Sequence, residues 1–175
     1  MPEGVLSAAQ PDEQMTSDMA RGSEVLAALA PLDVGQGCVV GKGQIWGLET
    51  LGGTDHMLQS LPGGAAQARA ILVKGPKRGQ DRRVDLPTIG PDTVASLAEA
   101  GLAGVVVEAG GVLLLEAEAT IAAADAAGLV LWARASDWCG ASSSRASHRA
   151  TGWAGGWWPG SKPCPRVVRS TGSAV

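Results

Sequence analysis

The sequence predicts an α/β fold: a single layered domain with a mixed sheet over residues 1–132, followed by a disordered C-terminal tail. Short runs of Val, Leu and Ile alternate with helical patterns through residues 1–132, which is the element order of layered α/β proteins. Two pairs of apolar runs are joined by tight glycine links, and such links favour antiparallel neighbours, so we expect a mixed sheet. A length of 175 residues favours one domain.

The first predicted helix covers residues 15–29. Apolar residues recur there at spacings of four and three, and the pattern ends before Pro31. The segment CVVGKGQIWGLE then places apolar runs on both sides of Gly41-Lys42-Gly43, which predicts a β-hairpin. The glycines of GQGCVVG superficially resemble a dinucleotide-binding loop, but their spacing differs and turn chemistry explains them better.

A short helix is predicted after the glycine pair at positions 52 and 53, with Thr54 or Asp55 as its N-cap and Leu61 at its end. The run AILVK, residues 70–74, is rich in branched apolar side chains and predicts a buried strand. This strand leads directly into a strongly basic segment.

A further helix is predicted to begin at Pro91 and to end before Gly101, because proline suits the first turn and glycine the position after the last. Its buried side is expected to consist of Val94, Leu97 and Ala98.

Two strands are predicted within GVVVEAGGVLLLE, joined near Gly110-Gly111. The alanine run at residues 119–127 predicts a helix, and LVLW at residues 129–132 a closing strand. Glu108 interrupts the first of the two strands, and a buried carboxylate with satisfied partners is preferred over a role in a site.

Composition argues against several function classes. No window approaches the roughly 18 uncharged apolar residues that a membrane helix needs, and the N-terminus lacks the order of a signal peptide, so a soluble cytoplasmic protein is expected. Cys38, Cys139 and Cys164 show no Cys-x-x-Cys spacing, which argues against a disulfide framework and a zinc site. His56 and His148 lie in regions of unlike composition, so no histidine-based hydrolase site is expected and His56 is interpreted as a helix-surface residue.

Residues 133–175 differ from the rest of the chain. Residues 1–132 carry sixteen acidic and eight basic side chains, whereas residues 133–175 carry one acidic and six basic ones, four of the six Trp, and no Leu, Ile or Met. This basic Trp/Ser/Gly-rich region is predicted to be disordered, because its apolar content is too poor to offset the ordering entropy. Stacking on nucleic acid is one interpretation of the tail; out-of-frame sequence is the preferred one, and no nucleic-acid partner is expected.

The segment KGPKRGQDRRVDLPTIGPDT, residues 74–93, carries the strongest chemical signal. Its first twelve positions hold five basic residues and two aspartates. Surface pairing of aspartate with arginine on a solvated loop explains this pattern, and so does a site that holds phosphate through a cation. Fixed cations neutralise charge on phosphoryl oxygens, and Mg²⁺ needs only one or two carboxylates when water and phosphate complete its shell.

The chain also contains, in this order, the blocks PEGVL, LDVGQGCVV, ETLGGTDHML, VKGPKRGQDRRVDLPTIGPDTV, GLAGVVVEAGGVLLLE and AGLVLW. On these blocks, residues 2–132 resemble the C-terminal domain of the LpxI family of bacterial UDP-2,3-diacylglucosamine pyrophosphatases. The resemblance covers the C-terminal half of that family, so the nucleotide-binding N-terminal half is expected to be missing here.

The resemblance implies Mg²⁺-assisted hydrolysis of UDP-2,3-diacylglucosamine to UMP and 2,3-diacylglucosamine 1-phosphate, a step of lipid A biosynthesis. It further implies a lipid sugar-nucleotide substrate and a homodimer that lies in the cytoplasm, peripheral to the inner membrane. The alternative is a noncatalytic remnant that keeps the fold and only binds phosphate or dimerises.

Asp81 and Asp85 are the expected catalytic residues and Mg²⁺ ligands. In a straight strand they would lie about 13 Å apart at roughly 3.3 Å per residue, so a loop is favoured in which one binds metal and the other orients water or a basic neighbour. The expected substrate-binding residues are Lys74, Lys77, Gln80, Arg82, Arg83, Thr54 and Asp55. For Thr54 and Asp55, contact with phosphate or metal and simple N-capping are equally good interpretations. Glu49 is expected at an exposed strand end rather than in the site.

Overall fold

The computed structural model describes residues 1–76 and 86–135, which belong to one compact unit. The strands in this part of the chain are β1 (Gly4–Val5), β2 (Gly37–Gly41), β3 (Gln44–Leu48), β4 (Ile71–Lys74), β5 (Thr88–Ile89), β6 (Gly104–Glu108), β7 (Leu113–Leu114) and β8 (Val130–Arg134). The helices are α1 (Glu13–Leu29), α2 (Gly53–Gln59), α3 (Gly64–Gln67), α4 (Pro91–Glu99) and α5 (Ala117–Ala126), and a short 3₁₀ turn (Ala30–Leu32) follows α1.

Six strands form the main sheet in the order β1, β8, β6, β4, β2, β3. Strands β4, β6 and β8 run parallel, while β1 pairs antiparallel with β8, and β2 pairs antiparallel with both β3 and β4. The helices α4 and α5 connect the three parallel strands, as parallel pairing requires. The predicted α/β class with a mixed sheet is therefore confirmed.

The main sheet has helices on both faces. On one face α1 packs on the sheet, where Met19 and Val73 belong to one buried cluster. On the other face α2, α3, α4 and α5 pack on the sheet, where Leu97 and Leu72 belong to a second cluster. Because successive strand residues point to opposite faces, Lys74 points to the same side as Leu72, towards the four-helix face.

Helix α1 and the hairpin that follows it confirm their sequence predictions. The helix begins at Glu13 because the Asp12 carboxylate accepts a hydrogen bond from the Met15 N–H at 2.8 Å, a side-chain N-cap. Two residues, Lys42 and Gly43, join β2 to β3, and both have positive φ (53° and 74°). This is the type I′ geometry whose twist matches that of antiparallel strands.

Several local predictions are wrong. The link at Gly110 does not make a hairpin, because β7 pairs in parallel with β5 in a separate two-stranded sheet. The N-cap of α2 is Gly52, without a side-chain hydrogen bond, so neither Thr54 nor Asp55 caps that helix. In α4, Val94 and Leu97 are buried as expected, but Ala98 is exposed.

Strand β8 continues to Arg134, where the Ala109 N–H donates to the Arg134 carbonyl. Nearly all residues of the predicted disordered tail lie outside the described part of the chain, so its disorder stays a prediction. Within residues 1–76 and 86–135, no helix combines the length and apolar character needed to cross a membrane.

Candidate functional site

A cavity of about 550 Å³ opens at the carboxyl end of β4. Strand β2 begins and β3 ends at this same edge, because Gly37 pairs with Lys74 and Leu48 pairs with Cys38. The cavity is lined by Lys74 and by residues 33–36, 49–51 and 86–88. Open α/β sheets bind their ligands outside the carboxyl ends of strands, so the topology favours this edge as a binding site.

Lys74 is the last residue of β4 and lines the cavity, as its predicted role requires. Its side chain is only 9% exposed, and its Nζ donates a hydrogen bond of 2.6 Å to the Thr54 Oγ1. The Glu49 Oε2 lies 4.0 Å from the same Nζ. A buried ammonium is stable only with polar partners, and these two side chains provide them on one side of the charge.

Glu49 is partly buried, so the expectation of an exposed strand end is wrong. Its N–H donates to the Gly37 carbonyl at 2.9 Å, which extends the β2–β3 pairing by one residue. Its side chain is 13% exposed, and within the described part of the chain the buried Oε2 has no hydrogen-bond partner. A Cβ on Gly37 would lie 2.6 Å from this oxygen, so glycine at that position makes room for the carboxylate.

Thr54 and Asp55 both lie in the first turn of α2, but only Thr54 contacts Lys74. Asp55 and His56 are exposed. The structure therefore confirms the interpretation of His56 as a helix-surface residue.

The predicted residues Lys77, Gln80, Asp81, Arg82, Arg83 and Asp85 lie outside the described residues. Their roles remain predictions. The described residues before this segment end at Pro76, two residues beyond Lys74. They resume at Leu86, which lines the cavity. Both ends of the basic segment are thus attached to the edge of the sheet where the cavity lies.

The carboxylates at the cavity fit a hard divalent cation. Asp33 and Glu49 both line it, and Mg²⁺ takes one or two carboxylates while water and phosphate oxygens complete its octahedral shell. In the described ranges no group of three or more His, Cys, Asp or Glu side chains forms a complete protein cage.

Two other features are structural rather than chemical. Burial raises the pKa of the Cys38 thiol to about 12, and its Sγ contacts the Gly22 carbonyl at 3.6 Å, so this cysteine is an unreactive core residue. A second cavity of about 400 Å³ lies between α2, α3 and α4, and among the described residues Glu99 is the one charged residue that lines it. These residues offer no cation for an anionic ligand.

The protein is thus a layered α/β domain with a cleft at the carboxyl end of a parallel strand, and charged side chains line this cleft. The chain belongs to the LpxI family: the model of the LpxI C-terminal domain matches residues 2–132. It is also 41% identical over 136 residues to the UDP-2,3-diacylglucosamine pyrophosphatase LpxI of Caulobacter vibrioides. That match covers 74% of this chain and 49% of the relative, so the chain spans about half the length of the curated relative it matches.

Proposed function

We propose that this chain is the C-terminal catalytic part of a UDP-2,3-diacylglucosamine pyrophosphatase of lipid A biosynthesis. The observation that carries the proposal is the Lys74 ammonium, which is nearly buried at the edge of a 550 Å³ cavity where the basic segment begins. The relative from Caulobacter vibrioides is named as a UDP-2,3-diacylglucosamine pyrophosphatase, which supports the identity of the substrate.

In the proposed reaction, a water oxygen attacks the α-phosphorus of the substrate. The bond between this phosphorus and the bridging oxygen breaks, so that UMP and 2,3-diacylglucosamine 1-phosphate leave and the proton of water passes to solvent or to a carboxylate. Negative charge shifts onto phosphoryl oxygens as the bond breaks. Lys74 stabilises that charge, because an ammonium in a water-poor site acts more strongly than in bulk water.

Bound Mg²⁺ supplies Lewis-acid polarisation of phosphoryl oxygens in this proposal. Asp81 and Asp85 are its proposed ligands from the chain, with one of them binding directly and the other orienting water or a basic neighbour. Lys77, Gln80, Arg82 and Arg83 complete the proposed set that binds the diphosphate. Thr54 serves by holding Lys74, and Asp55 has the weakest support because its side chain is exposed.

We further propose that the domain works at the cytoplasmic face of the inner membrane as a homodimer. Exposed leucines beside the cavity support contact with acyl chains: Leu51 lines the cavity and is fully exposed, and Leu113 pairs with Thr88 of its lining. Strand β3 lies at one edge of the main sheet. Such an edge is a natural place for a second copy to pair.

A second candidate function is a noncatalytic remnant that binds phosphate without turnover. Phosphate binding alone needs only the cationic edge of the cavity, where the Lys74 ammonium lies.

The experiment that separates these functions measures UMP release from UDP-2,3-diacylglucosamine with magnesium present. It compares this chain with the Caulobacter vibrioides relative, each with and without Lys74→Met, Asp81→Ala or Asp85→Ala at the matching position. We expect the lysine substitution to lower release about 100-fold or more, and each aspartate substitution to abolish it. Lys42→Met, at the exposed hairpin turn, is the matched control.

If the relative responds in this way while the chain alone releases no UMP, the chain is a remnant with a preserved site. Normal release from the substituted relatives removes these residues from the mechanism.

A further inference from the structure

We infer that Glu49 is a positioning residue: it holds the Lys74 ammonium at the cavity so that this cation meets the diphosphate of the ligand. The inference rests on the proposed function, since it assigns Lys74 to phosphate binding. It adds a residue that directly follows β3 to a site whose described predicted members come from α2 and β4.

The Lys74 side chain is held by two residues that are distant from it in sequence. Thr54 in α2 accepts the hydrogen bond from Nζ at 2.6 Å, and Glu49 after β3 places Oε2 at 4.0 Å from the same atom. Lysine has a flexible four-carbon stem and three donors on its ammonium. Thr54 uses one donor, so the ammonium has capacity left for phosphate oxygens.

The charge of Glu49 determines whether Lys74 stays in this position. Lys74 is more than nine-tenths buried, and a buried cation without a countercharge carries a large desolvation penalty. Without the carboxylate, the flexible Lys74 side chain relieves that penalty by turning towards solvent. Ligand binding must then return the side chain to the cavity, which weakens the affinity. We expect this loss to outweigh the relief of repulsion between Glu49 and the bound anion.

Two glycines lie close to Glu49, one beside its carboxylate and one beside its backbone carbonyl. Gly37 leaves the space that Oε2 occupies, and Gly35, with φ of 96°, approaches the Glu49 carbonyl so closely that any Cβ would collide with it. Oε2 has no hydrogen-bond partner within the described residues. The space beside Gly37 therefore does not serve to place a structural hydrogen bond among those residues. An unmatched buried oxygen 4.0 Å from an ammonium is consistent with an electrostatic role.

The test is a double-mutant cycle read out by calorimetric binding of inorganic pyrophosphate to the full chain, with magnesium present. The proteins are the wild type, Glu49→Gln, Lys74→Met and the double variant, with Glu3→Gln as a matched control at the opposite edge of the sheet. We expect Glu49→Gln to weaken binding about tenfold in the wild-type background and less than about twofold in the Lys74→Met background. Glu49→Asp, which keeps the charge, should recover part of the affinity.

A purely structural role for Glu49 predicts a different pattern, in which the two substitutions weaken binding additively. Additive losses, unchanged binding or tighter binding by Glu49→Gln each overturn the inference while leaving the proposed hydrolysis standing. Absence of pyrophosphate binding by the wild type overturns both. The expected cycle together with no UMP release overturns the hydrolysis alone.

Discussion

Two carboxylates, the buried Asp18 and the partly buried Glu49, lie at opposite ends of the β2–β3 hairpin and have contrasting surroundings. At the turn, Asp18 is 1% exposed and accepts hydrogen bonds from the N–H groups of Lys42 (3.0 Å) and Gly43 (2.6 Å). At the open end, Glu49 has a buried Oε2 with no hydrogen-bond partner in the described ranges.

The difference separates a structural carboxylate from one available to a ligand. Asp18 satisfies the backbone of a type I′ turn and ties α1 to the hairpin, so its hydrogen-bonding capacity is used within the fold. Glu49 lines a cavity, and its nearest charged neighbour among the described residues is a lysine that also lines it. An unsatisfied buried group in a native fold calls for an explanation, and a ligand site is the one that the cavity supports.

The largest effect that would test this contrast is the loss of stability in Asp18→Ala. Removing two charge-assisted hydrogen bonds at the turn should lower the free energy of unfolding by about 2 to 3 kcal/mol, measured by urea denaturation. Pyrophosphate affinity of the folded variant should stay at the wild-type value. Asp18→Asn, which keeps an acceptor, should lose less stability, and Glu49→Gln should lose less than either.

A weaker affinity in Asp18→Ala, or a loss of stability in Glu49→Gln as large as that in Asp18→Ala, would show that the two carboxylates do not differ in kind.

The sequence predicted the body of this fold well, because its elements rest on local patterns. The spacing of Met15 and Met19 identified α1, and the Lys42-Gly43 turn identified the hairpin. The strand that delivers Lys74 was likewise legible as an apolar run. Each of these signals lies within a few residues of the chain.

The site was predicted only in part, because its geometry depends on contacts between distant segments. Glu49 and Lys74 are brought together by the pairing of β2 with both β3 and β4, which no local pattern specifies. The same holds for the hydrogen bond from Lys74 to Thr54, a residue whose sequence pattern favoured N-capping and phosphate or metal contact equally. The one local signal for Glu49 was its place directly after a strand and before a glycine pair.

The stability of the protein at alkaline pH tests the same contrast on the face of the main sheet that α1 covers. Cys38 follows Gly37 in β2 and therefore points away from Glu49, towards α1. Burial raises the pKa of this thiol from 9.0 to about 12, so only the unfolded state ionises between these values. Stability should thus be unaffected by this group below pH 9 and should fall by up to about 1.4 kcal/mol per pH unit above it.

The measurement is the difference in unfolding free energy between the wild type and Cys38→Ala as the pH rises. The advantage of the wild type should shrink above pH 9. A constant difference up to pH 11 would mean that the thiol is not shielded from solvent in the folded state.

The smallest effect concerns the exposed apolar residues at the two ends of β3. Leu51 lines the cavity at the open end, whereas Ile45 lies next to the turn and is 38% exposed. If acyl chains approach the cavity, Leu51→Ser should weaken binding to anionic phospholipid vesicles about fivefold, roughly 1 kcal/mol and part of the full transfer free energy of a leucine. Ile45→Ser is the matched control and should bind vesicles like the wild type in co-sedimentation. Equal losses in both variants would mean that membrane contact does not distinguish the open end of the hairpin from its turn, and that the leucines beside the cavity face another partner.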